Sequence, residues 1–262
     1  MSSVARIGWL SAAVVLFLPA CSCDGNGGVS RFGPGGGDGG GDGVFGLDTT
    51  QGPEDCVGMR AVLRDFRAEH PDFEDYLGDH RGIVATVLGS DLKPVYALGG
   101  PGPTTTGPGP FDQWYRDVDG VNMAFEIPLP LTQASPGVFV FDNPEFFPLD
   151  GRGWPGEERN GHNFHFTTEV HTSFRYRGGE VFTFRGDDDV FAFVNGRLAL
   201  DLGGVHGAEQ AMINFDAQAA ELGITVGGTY RFDIFHAERH TTESNFRVET
   251  SIECFLEPPP LL

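Results

Sequence analysis

The sequence predicts an all-β domain, a sandwich or barrel of short antiparallel strands. Three observations carry this. Short segments alternate apolar and polar residues, as where Phe164, Phe166, Thr168 and Val170 interleave with His165, Thr167, Glu169 and His171. Glycine pairs at Gly178-Gly179 and Gly227-Gly228 punctuate these segments. Asn195-Gly196 is the dipeptide that a two-residue type I′ hairpin prefers, because both residues tolerate positive φ.

In chain order, the N-terminus reads as a targeting segment. Arg6 precedes an apolar run, Ile7 to Leu18, that is short for a membrane span and ends at Leu18-Pro19-Ala20-Cys21. A small residue before Cys21 resembles a bacterial lipobox, which implies cleavage before Cys21 and a lipid on its thiol; an ordinary secretory signal is the alternative. The Gly-dominated stretch around GPGGGDGGGDG cannot bury a core and holds no GGxGxD calcium repeat, so it reads as a linker. The chain thus divides into a signal peptide at 1–20, a tether at 21–53, a folded domain at 54–256 and a tail at 257–262.

Within the domain, Met59 to Phe66 (MRAVLRDF) has helical spacing, and Glu69 to Tyr76 adds a turn around Pro71. Ile83 to Leu88 and Pro94 to Leu98 are strand candidates, and Gly99 to Pro110 is a loop. Phe111 to Tyr115 is a short helical turn. Phe125 to Leu131 and Val138 to Phe141 are apolar segments, and Asp142 to Asn160 is loop. Strands follow from Phe164 to Tyr176, at Phe182 to Phe184, through the Asn195-Gly196 hairpin, and from Ala208 to Phe215. Ala217 to Leu222 is one helical turn, and Thr229 to Ala237 and Asn245 to Cys254 are the last strands.

A formal net charge of −20 disfavours nucleic acid as a partner, since that needs basic surface, and suits an exported protein that meets divalent cations. Of four cysteines, Cys56 and Cys254 bracket the domain and are expected to pair; a Cys23 pairing or a free thiol is the alternative.

The most informative stretch is Arg185 to His206. Asp187, Asp188 and Asp189 are consecutive and precede an apolar hairpin in which Phe193 faces Leu198 and Phe191 faces Leu200. Extending that ladder sets the acids opposite Leu202, Gly203 and Gly204. Adjacent anions repel unless a cation or hydrogen-bond donors offset them. One possibility is that they cap loops by accepting main-chain N–H groups.

LRDF with HPDF, FFPLDG, HNFHFT, GDDDVFAFVNGRLALDLGGVH and AERHTTESNFR, spread from about Arg60 to Ser251, resemble the fibro-slime family, a branch of the PA14-like β-sandwich domains of secreted bacterial and slime-mould proteins. The resemblance implies an antiparallel sandwich with short helices and long loops. In the wider group an aspartate pair precedes a strand-turn-strand that falls here on Phe193 to Asp201, which puts the pair on Asp187 and Asp188. In carbohydrate-binding members such a pair holds calcium, and the calcium holds sugar hydroxyls. A second loop supplies further ligands; here that is His236 to Asn245, with Asn245, Glu243 and Glu238 as the metal-ligand candidates. His206 and His240 join Asp187 and Asp188 as candidate ligand-binding residues. Asp189 stands where the group usually has a small residue.

Calcium takes six to eight oxygen ligands with tolerant geometry. Neighbouring residues of a regular strand point to opposite faces, so two adjacent carboxylates serve one ion only where the backbone turns, for instance through a cis peptide. His165, Glu169 and His171 would share a strand face, a combination that suits zinc or copper, although ordinary hydrogen-bonding roles fit them better. Paired carboxylates also serve glycosidases, yet no separate acid partner can be assigned, and GxSxG and HExxH are absent. Trp114 and Trp154 could stack on sugar rings or lie in the core. The expectation is a non-enzymatic, calcium-dependent surface module for extracellular polysaccharide or glycoprotein, held to a membrane by lipid at Cys21. The alternative is a surface protein that binds another protein, its metal only steadying loops.

Overall fold

The computed structural model describes residues 56–258. The expected signal peptide, Cys21, Cys23 and the Gly-rich tether lie outside the described residues. The first half of the domain runs through β1 (Met59–Phe66), β2 (Gly78–Asp79), α1 (Pro108–Phe111), β3 (Asn122–Leu129), β4 (Thr132–Ser135) and β5 (Val138–Asn143). The second half adds β6 (Phe166–Arg175), β7 (Val181–Gly186), β8 (Asp189–Val194), β9 (Arg197–Leu202), β10 (Gly204–Val205), β11 (Glu209–Asn214), α2 (Phe215–Leu222), β12 (Thr229–Glu238), β13 (Phe246–Thr250) and β14 (Phe255–Leu256).

These strands form the expected all-β antiparallel sandwich. One sheet has the order β3-β1-β6-β12-β8-β9, with β14 also paired to β6, and the other has the order β11-β7-β13-β5-β4. Between them lie Val170, Phe174, Val190, Ala192, Phe232 and Ile234 of the first sheet and Phe182, Phe184, Ile213, Phe246 and Val248 of the second, all buried. Phe182 meets Phe232 edge-on with ring centroids 4.7 Å apart. Each such side chain contributes about 1.5–3 kcal/mol by leaving water.

The outer face of the first sheet is covered as well. Phe191, Phe193, Phe235 and Ala237 pack there against Phe66, Phe73, Ile83, Phe111, Trp114 and Tyr115. Every residue of β8 is therefore buried, which explains its unbroken apolar run after Asp189.

Double-sided burial also overturns the helix expected at Met59 to Phe66. This segment is β1, paired with β3 on one side and β6 on the other. Its apolar residues face both layers, so they lack a clean two-residue period, and the helical spacing is fortuitous. In the β8–β9 hairpin, Asn195 and Gly196 have φ of 52° and 72°, as a type I′ turn requires. Phe193 faces Leu198 as expected, but a bulge follows, so Ala192 rather than Phe191 faces Leu200, and Phe191 faces Asp201. The ladder beyond is displaced by one residue, placing Val190 opposite Leu202. Helix α2 begins two residues before the expected turn, with the Asn214 side chain accepting from Ala217 N at 3.0 Å.

Topology positions the site. The chain passes from one sheet to the other between β7 and β8, between β9 and β11, between β12 and β13, and between β5 and β6. The registers Ala237↔Asp189, Glu238↔Phe166, Phe246↔Gly186 and Phe246↔Asn143 bring these crossovers to one end of the sandwich. At the other end Cys56 and Cys254 form a disulfide across 198 residues, as expected, and Val57 N donates to Phe255 O at 2.8 Å.

Closing so long a loop constrains the unfolded chain, by about 5 kcal/mol at most in the chain-entropy treatment. Cys254→Ser is expected to lower the unfolding free energy by about 2–5 kcal/mol in urea titrations, and reductant should do the same to the wild type.

Candidate functional site

Asp187 and Asp188 are the whole of the β7–β8 crossover. The peptide bond joining them is cis, and both side chains line one cleft of about 270 Å³. Its other walls come from the β9–β11 crossover (Val205, His206, Gly207), from the β12–β13 crossover (His240, Thr241, Thr242, Glu243) and from Leu77.

Each aspartate ties down a neighbouring crossover. Asp187 accepts from Asn245 N at 2.5 Å and from Asn245 Nδ2 at 2.8 Å. Asp188 accepts from His206 N at 3.0 Å with Oδ1, and from Arg239 N and His240 N at 3.0 and 3.1 Å with Oδ2. Asp189 accepts from Gly204 N at 2.7 Å. Beneath them, fully buried His236 lies with Nε2 2.7 Å from Asp187 O and Nδ1 3.2 Å from the Thr168 hydroxyl. A carbonyl only accepts, so Nε2 carries the proton; burial lowers the ring's pKa to about 4, and it stays neutral. Loop capping by the acids is thus present in full.

Asp189 has a separate partner. Arg239, itself fully buried, donates from Nε to Asp189 Oδ2 at 2.6 Å. Its Nη1 donates to Asp72 O at 2.9 Å and Thr104 O at 2.6 Å, Nη2 donates to the Thr104 hydroxyl at 3.3 Å, and the guanidinium sits 4.8 Å from the centroid of Trp114. Burial pushes the Asp189 carboxyl up, and the guanidinium and Gly204 N–H hold it back.

The remaining acids have no guanidinium hydrogen bond of their own, and the nearby Arg239 charge only partly offsets the burial of Asp188. Burial raises the pKa of Asp187, and raises that of Asp188 to about 8. Glu238 lies behind them, fully buried; burial and then the charges of Asp188 and Asp187 push its carboxyl far up. Neither of its carboxylate oxygens has a hydrogen-bond partner. The nearby Ser244 hydroxyl exerts a lowering pull on it but donates its own hydrogen bond to Phe146 O at 2.8 Å.

Among the described residues no three His, Cys, Asp or Glu side chains form a metal-holding group by themselves. The donor set nevertheless fits a hard cation supplemented by amide, main-chain or ligand oxygens. Asp187 keeps unused lone pairs on both oxygens, Asp188 keeps one on Oδ1, and Glu238 is an orphaned buried carboxyl behind them. The sequence candidates therefore separate. Asp187, Asp188, Glu243, His206 and His240 line the cleft, Asn245 is hydrogen-bonded to Asp187, and Glu238 is fully buried within reach of the charges of Asp187 and Asp188 but does not line the cleft. Both ring nitrogens of His206 face carbonyls, Gly207 O at 3.0 Å and Leu202 O at 3.1 Å, so that ring braces the loop.

Other sequence candidates lie elsewhere. Trp114 is fully buried, with Nε1 donating to Asp72 at 3.1 Å, and cannot stack on a ligand. Trp154 is half-buried beneath Arg67, whose guanidinium is 3.5 Å from the ring centroid. His165, Glu169 and His171 do not form one site. His165 bonds Glu74 at 2.8 Å, whereas His171 bridges Glu169 and Asp233, with Nδ1 2.6 Å from Asp233. Burial opposes charge on Glu169, but His171, Lys93 and Arg64 bring its pKa down to about 2. With both nitrogens facing carboxylates, His171 offers no lone pair to a metal.

Sequence reasoning missed Arg239, Glu74 and Leu77. Glu74 holds the second loop by accepting from the Thr241 hydroxyl at 3.0 Å, and Leu77 is 74% exposed at the cleft rim. The one legible signal was Arg239 itself, a cation inside a loop of acids and histidines.

Residues 149–254 match the PA14 domain. The matched segment contains the aspartate run, the hairpin and the second loop, but not Glu74 or Leu77. Protein psiR of Dictyostelium discoideum is 41% identical over 202 residues, which cover 71% of this chain and 20% of psiR. Protein psiD of the same organism is 38% identical over 219 residues, covering 78% of this chain and 43% of psiD. The chain thus spans between a fifth and about two fifths of those relatives' length. Among solved structures, the PA14 domain of the MpAFP antifreeze protein aligns over 79% of this chain and 89% of that chain at 8% identity, with a TM-score of 0.34. A PA14 sugar-binding domain from an RTX adhesin aligns over 38% and 51% at 15% identity, with a TM-score of 0.25.

The electrostatics of these acids have two measurable consequences. Asp189→Ala leaves Arg239 charged and buried, and is expected to lower stability by about 3–5 kcal/mol in urea denaturation. The second concerns pH. Folded Asp188 keeps its proton up to about pH 8, against an ordinary value of 3.8, so between these limits the folded state binds the extra proton and stability falls as pH rises. Asp188→Asn lacks this slope. In chelator, the stability of Asp188→Asn relative to wild type should rise from pH 4 to pH 8, by at most about 1.4 kcal/mol per pH unit. A flat difference would show that burial does not hold the proton on Asp188.

Proposed function

We propose that this domain is a non-enzymatic binding module that takes extracellular carbohydrate through a calcium ion held by Asp187 and Asp188. The observation carrying this is that the two adjacent carboxylates line one cleft while keeping lone pairs unused, with the buried, unpartnered carboxyl of Glu238 close by. The PA14 match across this segment and the fibro-slime resemblance support it. Asn245, Glu243 and the main chain of the second loop would complete the oxygen set, and Glu238 would supply charge from beneath. Bound calcium would supply a Lewis-acid anchor for vicinal sugar hydroxyls. His240 and Glu243 would orient the sugar from the cleft wall, and Arg239 would keep Asp189 occupied and the loop in register.

The Cys56–Cys254 disulfide supports an oxidising, extracellular setting, and the lipobox-like sequence supports attachment through lipid on Cys21. Leu77, exposed at the rim, favours a second reading in which the cleft binds a protein and the metal only steadies the crossovers.

Calcium should raise the melting temperature of the purified protein, with a gain of about 2.7 kcal/mol at one hundred times the dissociation constant. Chelator should reverse the gain, and Asp187→Asn should abolish it. A glycan array should give signal in calcium and none in chelator. If calcium neither binds nor stabilises, the proposal fails. If calcium binds and the array stays blank, the protein-binding reading replaces it.

A further inference from the structure

A second cleft, of about 400 Å³, lies across the β12–β13 crossover from the first. Thr242 and Glu243 line both clefts, so the two are separated only by this ridge. The far wall comes from the long β5–β6 crossover and is aromatic. Phe147 and His162 stack with ring centroids 4.0 Å apart and an interplanar angle of 17°, and Phe164 meets Phe147 edge-on at 4.9 Å.

This wall is firmly built. His162 sits at the end of a tight turn in which Arg159 and His162 exchange two main-chain hydrogen bonds of 2.8 Å, while Asn160 and Gly161 have φ of 51° and 89°. The ring is oriented by Asp150, whose Oδ2 lies 2.6 Å from Nδ1 and whose Oδ1 accepts from Asn163 N at 2.8 Å. Farther down the same crossover, Asp65 of β1 accepts from Trp154 N and Asn163 Nδ2, each at 2.6 Å. The ridge is pinned from both sides. Ser244 O accepts from Phe146 N at 2.9 Å, and the Asn245 amide reaches Asp187 at 2.8 Å.

The chemistry of this cleft is that of a ring platform with a polar, acidic rim. Half-buried Phe147 and His162 offer an aromatic surface of the kind on which the C–H face of a pyranose stacks. Asn160 and the exposed carboxylates of Glu145 and Glu243 offer acceptors at its edges. No lysine or arginine lines it among the described residues and His162 is already paired with Asp150, so uronate or sulfate groups would be repelled by Glu145 and Glu243.

We propose that this second cleft is a sugar subsite in which the Phe147–His162 pair stacks on an uncharged residue of an oligosaccharide whose neighbouring residue occupies the Asp187–Asp188 cleft. The inference rests on the carbohydrate reading given above, and it assigns the ligand class: neutral oligosaccharides rather than single sugars or acidic polymers.

The test is calorimetry on the full chain in calcium, with neutral hexoses, their di- to tetrasaccharides, and matched oligomers containing uronate. The neutral oligomers are expected to bind more tightly than the hexoses and than the uronate oligomers. His162→Ala should weaken oligomer binding by about two- to tenfold and leave hexose binding unchanged. His162→Tyr, which keeps a ring there, should retain the oligomer advantage, and a thermal melt of each variant confirms that it folds. Equal affinity for hexoses and oligomers, or equal weakening of both by His162→Ala, would overturn the second subsite while leaving the calcium cleft in place. Absence of binding by every sugar, with calcium bound, would overturn the carbohydrate reading and the subsite with it.

Discussion

The structure at this end of the sandwich depends on carboxylates accepting main-chain N–H groups where ladders stop. A chain that leaves one sheet for the other abandons its hydrogen-bond partners, and an unpaired buried N–H is costly. Four crossovers meet here, and three consecutive aspartates at the β7–β8 crossover brace two of the others: Asp187 takes the N–H of Asn245, Asp188 those of His206, Arg239 and His240, and Asp189 that of Gly204. Loops from distant parts of the sequence are thereby fixed relative to one six-residue strand. The cleft is a by-product of this bracing, since the carboxylates that hold the loops also face the space between them.

That bracing creates an electrostatic surplus. Four acids, Asp187, Asp188, Asp189 and Glu238, are buried together, and the guanidinium of Arg239 bonds one of them. Elsewhere the fold neutralises its buried acids more completely. Glu169, equally deep, meets Arg64, Lys93 and His171, and is held well below the ordinary carboxylate range. The contrast between these clusters on neighbouring strands distinguishes a structural ion network from a set of acids left short of positive charge. The raised carboxyls of Asp188 and Glu238 express the same shortage, because a buried acid whose counter-charge falls short of its burial keeps its proton.

Features governed by local chemistry were legible in the sequence. The Asn195-Gly196 turn, the alternation of β6 and β12 and the small helix α2 follow from residues read in place, whereas the Cys56–Cys254 pairing was expected only because these cysteines bracket the domain. The cleft-facing placement of Asp187 and Asp188 was reachable only through the family resemblance, since spacing alone left loop capping equally open. What was hidden depends on the third dimension. β1 reads as helix because it is buried on both faces. The bulge between Ala192 and Phe193 has no glycine to announce it. Arg239 lies 50 residues from Asp189, and Glu74 lies 167 from Thr241, so neither partnership has a local trace. Asp189 could not be assigned a role without its arginine.

The disulfide and the cleft lie at opposite poles. Phe255, next to Cys254, pairs with Phe174, whereas Glu238 beside the cleft pairs with Phe166 of the same strand. Roughly eight residues of extended chain separate these points, about 27 Å. Residue 56 lies at the disulfide pole, and on the function proposed above a ligand would pull from the other. A load between them runs along the strands, so neighbouring strands are asked to slide rather than peel, and the hydrogen bonds of a ladder resist together instead of one after another. The cross-link ties β1 to the segment at β14 where such a force enters. The same arrangement that shapes the cleft thus gives the domain a mechanical axis along its strands.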